Sequence, residues 1–249
     1  MYLNCKTHFS FLYGTFSTKE LVQTAVEHGV TSLALTNINS TCDLWEFVKL
    51  CREVHIKPVV GVEFRNGDKL LYILIAANNK GLSWIHSFLS EHLLEKKDFP
   101  EPATDLTFFL DSWDGFVIYP LGAKSPGDLV PNERIGLLPS ELTRLFTVDL
   151  RMHADKFVIR QPVTVQDKQH FSLHRLLRCI SKNTILAKLK TDEQCEPTEI
   201  FISPGELLNK LRAYPFLVTN TYKLMDECRI EMDFGVDKTK RTYGGTKDD

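Results

Sequence analysis

The 249-residue sequence has no Cys-x-x-Cys pair and no regular cysteine framework. Its six cysteines, Cys5, Cys42, Cys51, Cys179, Cys195 and Cys228, are scattered, a usage that reads as reduced thiols in a cytoplasmic protein. Long apolar runs are missing as well. The longest, Leu70 to Ala77, falls far short of the roughly 20 residues of a membrane-spanning helix, so no membrane role is expected. The opening MYLNCKTHFS has no apolar core, and the sequence predicts no signal peptide. Charge of one sign is not in excess either: 30 Lys+Arg stand against 32 Asp+Glu, a net charge of −2. A protein that grips nucleic acid through bulk positive charge is thereby excluded. Any work on DNA needs a local site or a larger assembly. With 43% hydrophobic and 25% charged residues, disorder, collagen and coiled coil also drop out.

What is present is an alternation of strand and helix signals. Leu3–Cys5 reads as a short strand. Ser17-Thr18-Lys19-Glu20 is a capping box, Leu21, Val22, Ala25 and Val26 follow at helical spacing, and Gly29 stands where a helix C′ residue should. Ser32–Thr36 suits a buried parallel strand. Leu44, Phe47, Val48, Cys51 and Val54 trace a second helix, and Pro58–Phe64 a third strand. The sequence Arg65-Asn66-Gly67-Asp68 then turns the chain back into Leu70–Ala77. Such units argue for a parallel sheet or barrel. Further on, the spacing predicts a helix over 81–94, loop over 96–106, strands at 115–119 and 157–159, and a Pro/Gly-rich connection over 120–139. A helix is expected over 169–189, with Leu173, Leu176, Leu177 and Ile180 as its packed stripe and Arg175, Arg178 and Lys182 on the opposite, solvated face. Ser203-Pro204-Gly205-Glu206 opens another helix, which Tyr214-Pro215 ends before a last one over 216–228. The tail, 236–249, carries little that is apolar and reads as a connector in a longer chain.

Particular blocks now bear on family. Asn4-Cys5-Lys6-Thr7-His8-Phe9-Ser10-Phe11-Leu12-Tyr13-Gly14 resembles the first motif of the PHP (polymerase and histidinol phosphatase) domain, H-x-H-S-x-[YF]-S-x-L-D-G. Ala34–Asn39 sits where that family has A-L-T-D-H-x. His55–Glu63 is similar to its G-I-K-P-I-I-G-x-E block, departing mainly at His55. His174–Ile180, and the segment from Ser203 through Tyr214-Pro215, Asn220-Thr221 and Cys228 to Gly235, are similar to the branch at the N-terminus of bacterial DNA polymerase III alpha subunits. The resemblance implies an α/β fold, an irregular PHP-type barrel of seven βα units, over residues 1–235, with 236–249 leading toward a polymerase palm.

In PHP enzymes, as the resemblance implies, His, Asp, Glu and Cys at the C-terminal ends of barrel strands hold up to three metal ions for phosphoester hydrolysis. Here the two histidines of H-x-H are Asn4 and Lys6, and the Asp-His pair is Asn37 and Ile38; only Glu63 keeps a ligand type. Asn is a weak neutral donor, Ile has no lone pair, and an ammonium has no acceptor. Closely spaced divalent cations need anionic compensation, so these five positions read as a degenerate metal site. No catalytic residue, no metal and no cofactor are expected. Two arrangements of Lys6 stand side by side: a fixed cation paired with Glu63 and hydrogen bonded to Asn4 and Asn37, or a solvent-facing side chain with Glu63 on backbone amides. His8 falls on a variable motif position and reads as a surface residue. His170 and His174, four apart, favour a packed histidine over a helical metal grip. His153, beside Asp155, is a candidate remnant ligand.

The function implied by the resemblance belongs to the parent chain: template-directed DNA synthesis in replication. The piece itself is expected to be a non-catalytic scaffold or docking module in the cytoplasm. Its implied partners are the rest of the polymerase chain and, as in relatives, the proofreading exonuclease subunit, with DNA reached only through the full polymerase. Two alternatives remain: an active metal phosphoesterase, either a 3′–5′ exonuclease or a pyrophosphatase using ligands from the middle region, and a stand-alone interaction protein.

Overall fold

A computed structural model describes residues 1–102, 113–147 and 150–235; the connector expected over 236–249 and part of the loop at 96–106 lie outside these. The strands are β1 (Tyr2–Cys5), β2 (Ser32–Ile38), β3 (Lys57–Asn66), β4 (Lys69–Ala76), β5 (Gly115–Pro120), β6 (Glu133–Leu137), β7 (Phe157–Ile159) and β8 (Pro162–Val163). The longer helices are α1 (Thr18–Glu27), α2 (Leu44–Glu53), α3 (Asn79–Glu95), α4 (Lys168–Lys182), α5 (Pro204–Lys210) and α6 (Pro215–Glu227).

The sheet runs β7-β6-β5-β4-β3-β2-β1-β8. Its two end strands are consecutive in the chain, separated only by Arg160 and Gln161. Residues 157–159 pair with β6 and residues 162–163 pair with β1, both in parallel. The sheet is therefore one ring: a single interrupted segment, 157–163, joins its two edges, and the eight strands make a seven-membered barrel. β4 breaks the parallel pattern, pairing antiparallel with both β3 and β5. A two-residue turn, with Gly67 at φ 60°, carries β3 directly into it. The α/β barrel expected from the resemblance is present, and its irregularity lies here.

Two apolar layers follow from the period-2 alternation of the strands. Leu3, Ala34, Val59, Ile73, Ile118 and Val158 fill the interior, closed at the strand N-terminal end by Leu224 and Met225 of α6 and by Cys228 just after it. The opposite side chains, such as Leu33, Leu35, Val60 and Val62, meet the helices outside. In α1, Ser17 accepts from the Glu20 amide at 3.2 Å while the Glu20 carboxylate accepts from Ser17 N at 2.8 Å, as its sequence requires. Gly29, at φ 64°, closes it.

Three expectations are corrected. The Pro/Gly-rich stretch over 120–139 contains β6, an inner strand of the sheet. The helix expected over 169–189 ends at Lys182, because Asn183 turns left-handed at φ 49°. That helix, α4, also packs the other way round. His174, Arg178 and Cys179 are buried, while Leu173, Leu176 and Ile180 are exposed. Arg178 pairs with Asp68 at 2.5 Å and donates to Glu193 O at 2.6 Å, Lys182 also pairs with Asp68, and Arg175 donates to Gln194 at 3.1 Å. Polar partners on the barrel rim, not the apolar stripe, set its orientation.

Candidate functional site

The C-terminal ends of β1, β2, β3 and the closing segment form the barrel mouth. β1 enters it with a bulge: Tyr2 pairs with Leu33 and Cys5 with Leu35, so three residues of β1 advance over two of β2. A bulge re-aims side chains, and here both Leu3 and Asn4 reach inward. Glu63 lies on the same face of β3 as Val59, the interior side. It is 1% exposed, Asn4 is fully buried and Lys6 is 1% exposed.

These three close a triangle. Lys6 Nζ sits 2.9 Å from Glu63 Oε2 and donates to Asn4 Oδ1, and Asn4 Nδ2 donates to the same Glu63 oxygen at 2.6 Å. The other oxygen, Oε1, accepts from Arg65 Nε at 2.6 Å and meets Arg65 Nη2 at 2.5 Å. Of the two arrangements open to Lys6, the paired one is present. Burial alone would push the Glu63 carboxyl up. The charges of Arg65 and Lys6 and the hydrogen bonds from Lys6 and Asn4 outweigh it and hold the group down at about 2.

Arg65 is itself fixed. Its guanidinium lies over the Tyr13 ring at 4.6 Å. Its backbone N donates to Asn39 Oδ1 at 3.0 Å while Asn39 Nδ2 donates to Arg65 O at 2.9 Å. Arg178 covers the same Tyr13 ring at 5.2 Å. His174, beneath, places Nδ1 2.6 Å from Tyr13 O and accepts from Cys195 N at Nε2, 2.8 Å. Both ring nitrogens thus serve backbone groups in the neutral imidazole, and burial lowers its pKa further.

Asn37 and Ile38 stand elsewhere. Asn37 falls on the outward face of β2 and makes no bond to Lys6. Its Oδ1 accepts from Thr7 N at 2.8 Å and Ser10 Oγ at 2.8 Å, and its Nδ2 donates to Asp43 at 2.7 Å. Asp43, 2% exposed, also accepts from Thr7 and Thr18, so the residue preceding α2 binds its neighbours and leaves the helix uncapped by its side chain. Ile38 packs beside Tyr13, Val165 and Cys195. Gly14 ends the motif because a Cβ there would meet Thr7 O at 2.0 Å. His55, where the motif has glycine, takes φ 59°, a left-handed conformation costing about 1–2 kcal/mol for a residue with a Cβ.

The other histidines do not converge. His8 is exposed. His170 holds Asp167 at 3.0 Å on the surface and turns away from His174. His153 precedes β7, so it lies at the strand N-terminal end, opposite the mouth, against Gly127; it is no remnant ligand. Arg65 and Arg160 were not singled out in the sequence, although each stands two residues after an inward position, Glu63 and Val158.

The PHP domain family model matches residues 3–127, half of the chain, and the chain belongs to that family. The curated relatives it matches are DNA polymerases. It is 23% identical over 271 residues to DNA polymerase III subunit alpha of Halalkalibacterium halodurans, covering 94% of this chain and 23% of that protein. The Escherichia coli subunit is 26% identical over 270 residues, with the same coverage. The chain thus spans about a quarter of the length of these relatives. An amidohydrolase from Chromobacterium violaceum aligns with a TM-score of 0.43 at 13% identity over 64% of this chain and 85% of that one, too low to inform the site.

The donor set does not fit the metal cluster that PHP enzymes carry. Both Glu63 oxygens already face two donors each, Asn4 Oδ1 is taken by the ammonium, and Lys6 and Arg65 place positive charge where cations would gather. Among the described residues, no group of three or more His, Cys, Asp or Glu side chains could hold a metal ion. No helix among them is long and apolar enough to cross a membrane.

Proposed function

We propose that this chain is a non-catalytic PHP domain that supports a replicative DNA polymerase. The carrying observation is Lys6: its ammonium occupies the barrel mouth on the one acidic residue the motif retains. A metal phosphoesterase needs an activated water on a cation, with open coordination positions. This mouth is filled by protein donors instead, and the charge cluster knits β1 to β3 where ions would otherwise do so. Five positions, Asn4, Lys6, Asn37, Ile38 and Glu63, are what remains of a metal site.

Kinship to subunits about four times as long supports template-directed DNA synthesis as the activity of the parent chain, in the cytoplasm. The rest of that chain is the domain's first partner, and the proofreading exonuclease subunit its second. The exposed apolar stripe of α4, Leu173, Leu176 and Ile180, is a surface suited to such support, because apolar groups displayed together gain by being covered.

The test is metal content by mass spectrometry after growth with added Mn²⁺ or Zn²⁺, together with hydrolysis of bis(p-nitrophenyl) phosphate and of a 3′-mismatched primer. The expected result is no stoichiometric metal and no turnover above the blank. Stoichiometric metal with hydrolysis that disappears in Glu63→Gln overturns the proposal in favour of a phosphoesterase.

A further inference from the structure

Outside the Glu63 cluster, a cavity of about 380 Å³ opens between the turn after β6, the closing segment and the turn 196–199. Leu138, Pro139 and Pro162 give it apolar walls. Gln161 lines it as well and is only 4% exposed. Its Nε2 donates to Pro162 O at 3.0 Å and Thr198 O at 3.2 Å, with Ile200 O at 3.5 Å. Three carbonyl oxygens fix which way this amide faces, since a flipped amide would set oxygen against oxygen. Oε1 is thereby turned away from them toward the cavity, and among the described residues it accepts from no donor.

Two carboxylates line the same space from a single turn. Glu199 N donates to Glu196 O at 3.0 Å, and Glu196 N donates to Glu199 Oε1 at 3.3 Å. Thr164 N and Val165 N both donate to Glu199 O, at 2.9 and 3.1 Å, which roots the turn on the chain leaving β8. The buried Thr164 hydroxyl donates to Glu199 Oε2. Glu199 is thus held in place, but not neutralised. The cation among the lining residues, Lys210 of α5, is paired with Glu206 at 2.8 Å, and Arg160 feels Glu199 from a distance without pairing to it. Among the described residues, neither Glu196 nor Glu199 forms an ion pair.

The cavity therefore presents two uncompensated carboxylates and an unanswered amide oxygen beside an apolar wall. An ammonium is the complement of such a set, with three donors, no acceptor and a full positive charge. A divalent metal such as Ca²⁺ takes about six to eight oxygens, more than these three groups supply. We propose that this cavity binds a primary ammonium carried on an apolar stem, the chemistry shared by a free polyamine and by a lysine side chain of a neighbouring protein. The ammonium is held by Glu196, Glu199 and Gln161 Oε1, and its methylenes lie along Leu138, Pro139 and Pro162.

The inference does not rest on the non-catalytic reading of the mouth, and its test is run in EDTA. The protein is titrated calorimetrically at pH 7.5 and constant ionic strength with spermidine, with N-acetyl-lysine methylamide, and with tetramethylammonium, which has the charge without an N–H. One-to-one binding of an ammonium probe is expected, with a Kd in the low-millimolar range or tighter, and none of tetramethylammonium. Glu199→Gln should weaken it about tenfold or more, and Glu196→Gln, at an exposed side chain, several-fold. Lys210→Met should leave it unchanged. Tighter binding of spermidine assigns the site to a free polyamine, and tighter binding of the lysine derivative to a protein side chain. The inference is overturned if neither probe binds up to about 10 mM, if tetramethylammonium binds equally well, or if affinity is indifferent to both glutamate substitutions. A tenfold gain in Lys210→Met also overturns it, because Lys210 itself would then be the occupant. Metal-dependent hydrolysis found in the earlier assay would leave all these outcomes unchanged.

Discussion

Replacing either member of the Lys6–Glu63 pair has a cost whose order and pH dependence follow from the geometry. Glu63→Gln leaves two cations, Lys6 and Arg65, without their carboxylate, and breaking buried pairs of this kind costs about 3–5 kcal/mol. Lys6→Met leaves Glu63 still held by Arg65 and Asn4, and about 2 kcal/mol is expected. The sign with pH is set by the carboxyl. Held down from an ordinary 4.5 to about 2, it contributes about 3 kcal/mol that is fully present above 4.5 and lost as pH falls toward 2. Urea unfolding of wild type, Lys6→Met and Glu63→Gln at pH 7 and pH 3.5 reads both effects. The gap between wild type and Glu63→Gln should narrow by about 1.4 kcal/mol at the lower pH. A Glu63→Gln protein no less stable than Lys6→Met, or a gap indifferent to pH, would refute the claim that the cluster fastens the mouth.

His174 is buried and neutral, with its pKa lowered first by burial, so the unfolded chain takes up a proton that the folded one refuses. Stability should therefore fall as pH drops below about 6.5, and His174→Gln should flatten that dependence between pH 7 and pH 5.5 in urea titrations. Gly14→Ala should cost more than about 2 kcal/mol, seen as a lowered Tm, because its methyl would displace Thr7 O and with it the Thr7–Asn37–Asp43 network.

What the sequence disclosed depended on how local the cause was. Ser17 and Glu20 are three residues apart, and their capping box is visible on sight. Alternation over 57–66 identifies β3 and, once Glu63 is known to face inward, places Arg65 beside it. The α4 helix shows the opposite case. Periodicity located its apolar stripe, but the buried face was chosen by Tyr13, Asp68 and Gln194, residues that no local pattern connects to it. Asn37 was assigned to the ligand cluster by motif position, yet one step along a strand reverses the face, and its amide serves Asp43. The dense Pro and Gly around 120–139 hid β6, because five residues between two prolines look like a turn until the strands on either side exist to pair with them. Arg160 gave no signal of its own. Its isolation is a property of the assembled barrel, where no acidic residue among the described ones forms an ion pair with it.

The ring closes through one short segment, and that fixes an order of events on the ribosome. β1 is complete by residue 5, but its second neighbour is residues 162–163. At roughly 5–20 residues per second, the first strand waits on the order of ten to thirty seconds with one edge bare. During that interval the nascent sheet is open, apolar on both faces, and able to pair with any strand that passes. Synthesis of seven residues, Phe157 to Val163, removes two edges at once.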